Sequence, residues 1–290
     1  MKIGKNALTY AAAAICALCF SVLLTLYLNY EKQSEEQTRR AFFDYQIKQL
    51  HKNVEDAKLS AAAIAALLAQ NGNIKGCFTQ LSREQCLKNV DEIIHTLSMA
   101  SMYKNIKIHL HTSDFKSYVR SWDKQNFGDT LSSFRYLISE AAERKTPVAG
   151  VEYGVAGIFV RAVSSISENG RTLGSVEVLL DYEHIANFFK EQGIDLYVLI
   201  DKNRSVSKKP GPSDALLKDY YVLNLSSANL NLIQILDEID FKNSDFYTYK
   251  THFICAVPLI DASNKRIGYY VLHVNSNEKE RFLSQNYVAF

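Results

Sequence analysis

The sequence predicts an α+β chain: an apolar N-terminal helix continuing into a long stalk helix, then two tandem modules in which helices lead into antiparallel sheets. Three observations predict it. Asn6 to Tyr30 contains no Asp, Glu, Lys or Arg. Helical periodicity then persists for about forty residues, with neither proline nor glycine between Lys5 and Asn71. Beyond that, helix followed by alternating strands with turn residues between them occurs twice.

The first element is the run AAAAICALCFSVLLTLYL, residues 11–28. At 1.5 Å per residue the uncharged segment 6–30 is long enough to cross a hydrocarbon core of about 30 Å. Lys2 and Lys5 precede it; Glu31, Lys32, Glu35 and Glu36 follow. The positive-inside rule places residues 1–5 in the cytoplasm and everything after Tyr30 beyond the bilayer. A cleaved secretory signal is the competing reading, with an apolar region of about 7–15 residues and a small-residue cleavage site. Here the run is longer, its Ala-x-Ala matches at Ala11–Ala14 come too early, and no lipobox surrounds Cys16 or Cys19. An uncleaved anchor is expected.

Residues 31–72 read as the stalk. Phe43, Ile47, Leu50, Val54, Ala57, Ala61, Ile64 and Leu68 alternate in steps of four and three, flanked by Lys48, Lys52, Glu55 and Lys58. Such a heptad seam packs either on the chain's own modules or on a second subunit. Asn71-Gly72-Asn73 ends it. A helix from Arg83 to Met102 is expected, with Ser82 as N-cap. Ile106–His111 alternates, Ile106, Ile108 and Leu110 against Lys107, His109 and His111. Ser113 and Asp114 predict a short helix through Trp122, and helix returns over Leu131–Arg144. Strands are expected at Gly150–Tyr153, Gly157–Ile166 and Thr172–Asp181, the last two joined by a hairpin at Asn169-Gly170. Helix His184–Glu191 ends at Gly193.

The second module repeats the order: strand Asp195–Asp201, loop Lys208–Pro212, extended Tyr220–Leu225, helix Leu230–Ile239. A hairpin of Phe246–Ile260 and Ile267–Val274 turns at Asp261–Asn264, and a helical tail runs from Ser276 to Gln285. The length beyond Tyr30 exceeds the usual ~100–200 residues of one domain. The divisions expected are 73–193, 194–275 and a tail 276–290.

Lys and Arg total 33 and Asp and Glu 31, so without Lys2 and Lys5 the charges balance. A balanced surface argues against nucleic acid as partner. Of five cysteines, Cys16 and Cys19 lie in the apolar run and Cys255 in a core strand. Cys77 and Cys86 close a short loop in an exported segment, either as a disulfide or as two half-buried thiols.

The stretch IKIHLHTSDFKSYVRSW followed by FGDTLSSFR, Ile106–Arg135, resembles the double Cache sensor domains of bacterial methyl-accepting chemoreceptors and sensor kinases. AGVEYGVAGIFVRAVSSI and RTLGSVEVLLDY, within Ala149–Tyr182, continue the match. The resemblance covers roughly residues 40–275. It implies two PAS-like modules, membrane-distal (73–193) then membrane-proximal (194–275), in the periplasm of a single-pass inner-membrane protein. It implies a role in signal transduction and chemotaxis, with a small molecule bound in the distal module and a small displacement passed down the stalk. The sequence departs from the family after Val274, where no second membrane run, HAMP linker or signalling helix follows. The expectation is a truncated chain or an output supplied by a separate signalling polypeptide.

A pocket for a small anion needs fixed donors and an apolar wall. Tyr118–Arg135 offers both. Arg120 can grip a carboxylate with two hydrogen bonds, Arg135 is a second donor, Tyr118 gives a hydroxyl and Trp122 a wall with one N–H. Asp129 can receive a ligand amine or hold Arg135. His111, on the same strand face as His109, can donate to a bound acid. Each has an ordinary alternative: structural ion pairs with Asp114, Asp129 or Glu152 for the arginines, core packing for Trp122. His109-x-His111-x-x-Asp114 suggests a metal, yet the rest of the known hydrolase patterns is missing. No nucleophile elbow, phosphate loop or dinucleotide fingerprint is present. The expectation is therefore no enzyme, no cofactor and no metal. With Asn169-Gly170 as the turn, Arg161 falls opposite Val178 and Glu177 opposite Ala162, so the two charges are expected on opposite faces.

The function expected is an extracytoplasmic sensor of a small carboxylate or amino acid, dimeric through its stalk in one reading of the seam. The alternative is a membrane-anchored module that binds a partner protein.

Overall fold

The structure, a computed structural model, describes residues 5–131, 135–204 and 217–276. By internal packing the chain divides into two units, Met1–Leu50 and His51–Phe290. α1 (Lys5–Gln70) is the long helix that an unbroken, proline-free sequence predicts. In the first unit its apolar stretch leaves Ile15, Leu18, Phe20, Leu23 and Leu26 exposed. Two hydroxyls there are satisfied within the helix: Ser21 Oγ donates to Leu18 O and Thr25 Oγ1 to Ser21 O, each at 2.8 Å. That arrangement suits a segment without water around it. By length and composition this helix is apolar enough to cross a membrane.

In the second unit α1 buries Val54, Ala57, Ala61 and Leu68 of the expected seam and Ala65 beside them, while Ile64 is half-buried. Asn71 caps α2 (Gly72–Gly76), its Oδ1 accepting from the Asn73 and Ile74 N–H groups. Cys77 is bonded to Cys86, their Cα atoms 5.4 Å apart. α3 (Arg83–Ser98) begins on a reciprocal capping box between Ser82 and Gln85. It stops short of the expected Met102, and a 3-10 turn at Ser101–Tyr103 follows.

β1 (Lys107–Thr112) and β2 (Ser117–Arg120) form a hairpin where the sequence predicts a helix from Ser113 to Trp122. The turn explains the correction. Lys116 N–H donates to Thr112 Oγ1 at 3.0 Å, Thr112 N–H to Lys116 O at 2.9 Å, and Phe115 takes φ 60°. The chain reverses before a helix can nucleate. α4 (Tyr136–Arg144) starts later than the expected Leu131, which is buried but not helical. β3 (Val148–Gly154), β4 (Gly157–Glu168), β5 (Arg171–Leu180) and α5 (Glu183–Lys190) follow. The second set is β6 (Asp195–Asp201), β7 (Tyr220–Val222), α6 (Ile233–Asp237), β8 (Phe246–Tyr249), β9 (His252–Ile260) and β10 (Arg266–Asn275). The expected strand Phe246–Ile260 is two, split by a turn in which Lys250 has φ 53°. The expected loop Lys208–Pro212 and the tail helix beyond Ser276 lie outside the described residues.

Each set makes one five-stranded antiparallel sheet, ordered β2-β1-β5-β4-β3 and β7-β6-β10-β9-β8. The order is the same in both, so the sequence repeat is a repeat of topology. In the first sheet α4 packs Leu137, Ile138 and Ala141 on Val148 and Val163. The second is centred on an aromatic core of Tyr197, Tyr220, Phe241 and Tyr269. The turn between β9 and β10 meets the first sheet: Ala262 N–H donates to Val151 O at 2.7 Å. Gly150 permits the approach, since a Cβ there would lie 2.8 Å from Ala262 Cβ.

The hairpin of β4 and β5 turns at Asn169-Gly170 as expected, Glu168 facing Arg171, but its register shifts between Ile166 and Ser167. Leu173 is the extra residue of a bulge. Arg161 therefore faces Leu179 rather than Val178, and Glu177 faces Val163 rather than Ala162. A slip of one residue turns side chains to the other face. The expectation that Arg161 and Glu177 project to opposite faces is overturned: they share one.

Candidate functional site

That shared face of the first sheet collects the chemistry. Alternation and register place His109 and His111 of β1, Ser175 and Glu177 of β5, Arg161 of β4 and Glu152 of β3 on one side. Arg135, the residue before α4, closes over them. All six charged or imidazole groups are buried.

Glu177 is the hub. Its Oε1 accepts from Arg135 Nη2 and, at 3.0 Å, from Arg161 Nη1. Its Oε2 lies 3.2 Å from His109 Nδ1 and 3.5 Å from His111 Nε2. The far nitrogen of each ring is held by a hydroxyl: His109 Nε2 by Ser117 Oγ at 2.8 Å, His111 Nδ1 by Ser175 Oγ at 2.9 Å. Arg135 Nε donates to Glu152 Oε2 at 2.7 Å, while the other Glu152 oxygen accepts from Leu137 N–H at 3.0 Å. Arg135 makes no side-chain cap of its own on α4. Glu152 supplies one from β3, where a negative charge at a helix N-terminus is favourable. Arg161 Nε and Nη2 donate to the carbonyls of Glu152 and Gly157. Gly154 makes room for both guanidiniums, since a Cβ there would lie 2.6 Å from Arg161 Nη2 and 3.2 Å from Arg135 Nη1.

Two arginines balance two glutamates, which makes the burial tolerable. Burial alone would raise the Glu177 carboxyl; Arg135 and Arg161, with the His109 hydrogen bond, hold it well below the usual carboxylate range. Burial pushes His109 well below the ordinary imidazole value, with His111 adding to the effect, and lowers His111 as well. Burial and the charge of Arg135 lower Arg161 to about 10. Burial opposes the charge on Arg135 too, but Glu177 and Glu152 outweigh it and raise its pKa.

Of the residues expected from sequence, His111 and Arg135 sit in this cluster. Trp122 stands at its edge, its ring centroid 5.4 Å from that of His109, and also lines a cleft of about 440 Å³ with Asp91, Asn105 and Lys107. Arg120 and Asp129 pair with each other at 2.6 Å, and Arg120 Nη1 donates to Asn126 O, tying β2 to the loop after it. Tyr118 falls in the β1–β2 register shift and packs on Phe78, centroids 5.6 Å apart. Glu152 is one of the ion-pair partners the sequence offers for the arginines, and Arg135 takes it; Arg161 and Glu177 are not among the expected site residues. Their signal was present: one charge inside each of the apolar runs IFVRAV and SVEVLL. Charges there are buried and need partners.

The comparisons with known proteins fall into three. The model of a double Cache family, described as the double sensory domain of two-component sensor kinases, matches residues 38–278. Among curated proteins none matches this chain. Solved structures match over most of their length at low identity. The ligand-binding domain of the Campylobacter jejuni chemoreceptor Tlp3, in complex with L-valine, is 14% identical, with 79% of this chain and 90% of that one covered and a TM-score of 0.42. That of the Pseudomonas fluorescens chemoreceptor CtaA, in complex with L-serine, is 12% identical, with 82% and 99% covered and a TM-score of 0.40. An apolar helix able to span a membrane, two antiparallel sheets of one strand order and a family match over most of the length agree: this chain belongs to the double Cache family of sensory domains.

Proposed function

We propose that the chain is an extracytoplasmic sensor of a small carboxylate or amino acid, bound on the polar face of the first sheet and reported through the second. The observation that carries this reading is the position of Arg135. It lies between sheet and helix, and both its partners, Glu152 and Glu177, are carboxylates. A ligand carboxylate can take the place of either on the guanidinium, at the cost of leaving that glutamate without its cation. Freed from Arg135, Glu152 also loosens its hold on the α4 N-terminus. Its neighbour Val151 carries the hydrogen bond to Ala262 of the second sheet. Ligand exchange thus biases two packings of α4, β3 and the β9–β10 turn, a population shift driven by differential affinity. Residues 73–193 are then the distal module and 194–275 the proximal one. Lys2 and Lys5 set the N-terminus in the cytoplasm, and the stalk carries the displacement. Arg120, Trp122 and Tyr118 are outer contacts, with Asp129 the counter-ion that a ligand displaces from Arg120.

One observation favours the second reading, a module that binds a partner protein: both inner guanidiniums are already satisfied by the chain's own carboxylates. A thermal-shift panel of organic and amino acids on the full chain in detergent separates the two. A ligand at about 100 times its Kd stabilises by roughly 2.7 kcal/mol. The sensor reading expects one such hit, lost in Arg135→Lys and reduced in Arg120→Ala. A flat panel removes it and leaves the partner-protein reading.

A further inference from the structure

His111 Nε2 is fully buried and has no well-formed hydrogen bond; Glu177 Oε2, at 3.5 Å, is the polar atom it faces. The other ring nitrogen is engaged by Ser175 Oγ. When Nδ1–H donates to Ser175, Nε2 presents a bare lone pair to a carboxylate oxygen that is itself negative. In that tautomer two acceptors stand 3.5 Å apart, and His109 Nδ1 is the other group on the same carboxylate oxygen. Buried polar atoms are ordinarily paired, and an exception asks for a missing partner. The partner that suits two lone pairs is a cation.

The surroundings are those of a metal centre. His109 and His111 stand two apart on β1, and Glu177 is the cross-strand neighbour of His109. The ligating atoms of the three lie within 4.8 Å of one another. His109 Nδ1 is 3.2 Å from Glu177 Oε2. A tetrahedral ion with ligands at about 2.0–2.1 Å needs edges of about 3.3–3.4 Å, close to the two edges that meet at Oε2. Serines 117 and 175 hold the far nitrogens, as second-sphere hydroxyls hold metal-bound imidazoles in one tautomer. All three ligands stand on strands of one sheet rather than on loops.

We infer that His109 Nδ1, His111 Nε2 and Glu177 Oε2 bind one first-row divalent ion of the zinc class. Two imidazoles and a carboxylate suit zinc, nickel or cobalt, whereas magnesium and calcium prefer oxygen ligands. Binding moves the His109 proton to Nε2, where it donates to Ser117 Oγ. Arg135 and Arg161 stay on Oε1. The four fixed charges already cancel, so a divalent ion adds a net +2, which an exchangeable anion taken as its fourth ligand reduces to +1. This site stands whether or not a carboxylate ligand is sensed, because the ion and a simple halide suffice to fill it.

The test uses the full chain in detergent, stripped with a chelator and titrated with cobalt chloride alone. The expected result is the visible absorption of tetrahedral cobalt, saturating at one ion per chain and bleached by zinc. No such band overturns the inference. In the metal-free protein, His111→Gln keeps a buried amide for Ser175 and is expected to abolish the band; a band that survives in the folded variant overturns it. Should that variant not fold, the wild-type chain decides. In its imidazole nitrogen spectrum, zinc is expected to shift Nδ1 of one ring and Nε2 of another, assigned to His109 and His111, and to leave the other five of the seven histidines unmoved. Shifts confined to other histidines overturn the assignment.

Discussion

Glu177→Gln keeps the shape of the hub and removes its charge, leaving Arg135 and Arg161 against a neutral amide in the interior. Removing one partner of a buried ion network costs about 3–5 kcal/mol, because the remaining charges stay desolvated. The expected result is a fall of that size in unfolding free energy, read from the urea midpoint of the chain. Lys52→Ala breaks the exposed pair with Asp56 and is expected to cost no more than about 0.5 kcal/mol. A Glu177→Gln loss as small as that would show that the network contributes little. Acid acts on the same groups with one sign. His109 and His111 have pKa values lowered by burial, so below about pH 6.5 the unfolded chain takes up protons that the folded chain refuses. The stability they contribute is present above that pH and is lost progressively as pH falls from there through their lowered folded values. Glu177, also lowered, is protonated in the unfolded chain below about pH 4.5 while it stays charged in the folded one, which adds a second loss. In chelator-treated protein Tm is therefore expected to fall continuously from pH 7 towards pH 4. His111→Gln is expected to flatten the upper part of that curve, and a curve unchanged in that variant would show that His111 is not the group titrating.

Single elements mark how much was legible in the sequence. Period and punctuation sufficed for α1, for α3 with its Ser82 cap, for β6, and for the hairpins at Asn169-Gly170 and Asp261–Asn264. They failed where a local contact outweighs a weak pattern. β2 is four residues long, too short for alternation to speak, and the turn that creates it depends on a threonine side chain bonding Lys116. The hub of the site was hidden by Leu173. A bulge leaves no mark in composition, yet it decides whether Arg161 meets Glu177. His111 and Arg135 could be picked out as donors, but their company on one face could not. At the same scale the contact between sheets is open to test. Gly150→Ala introduces a methyl 2.8 Å from Ala262 Cβ. Overpacking of this kind costs about 1–3 kcal/mol. The expected loss is recovered in the double variant Gly150→Ala/Ala262→Gly, and a cost equal in both would show that the strain lies within β3.

For the whole molecule, the two sheets share a strand order but not a content. The first carries a buried set of two arginines, two glutamates and two histidines; the second carries an aromatic core and one buried histidine, His273, held by Asp195. A charged interior can exchange partners with a ligand; an aromatic one can only repack. In the proposed scheme, then, the first sheet receives and the second transmits, and the route between them includes the hydrogen bond from Ala262 N–H to Val151 O. Amide hydrogen exchange reads that bond directly, since opening of a packed turn exposes its N–H while core strands stay protected. A ligand that takes Arg135 from Glu152 is expected to change exchange in two places: at Leu137, whose N–H loses its Glu152 acceptor, and at Ala262. In Gly150→Ala the change at Leu137 is expected to persist and that at Ala262 to vanish, because the methyl has already parted β3 from the turn. Loss of both together would place the effect of Gly150→Ala on binding itself. A response at Ala262 that survives the substitution would mean that the signal passes between the modules by another path.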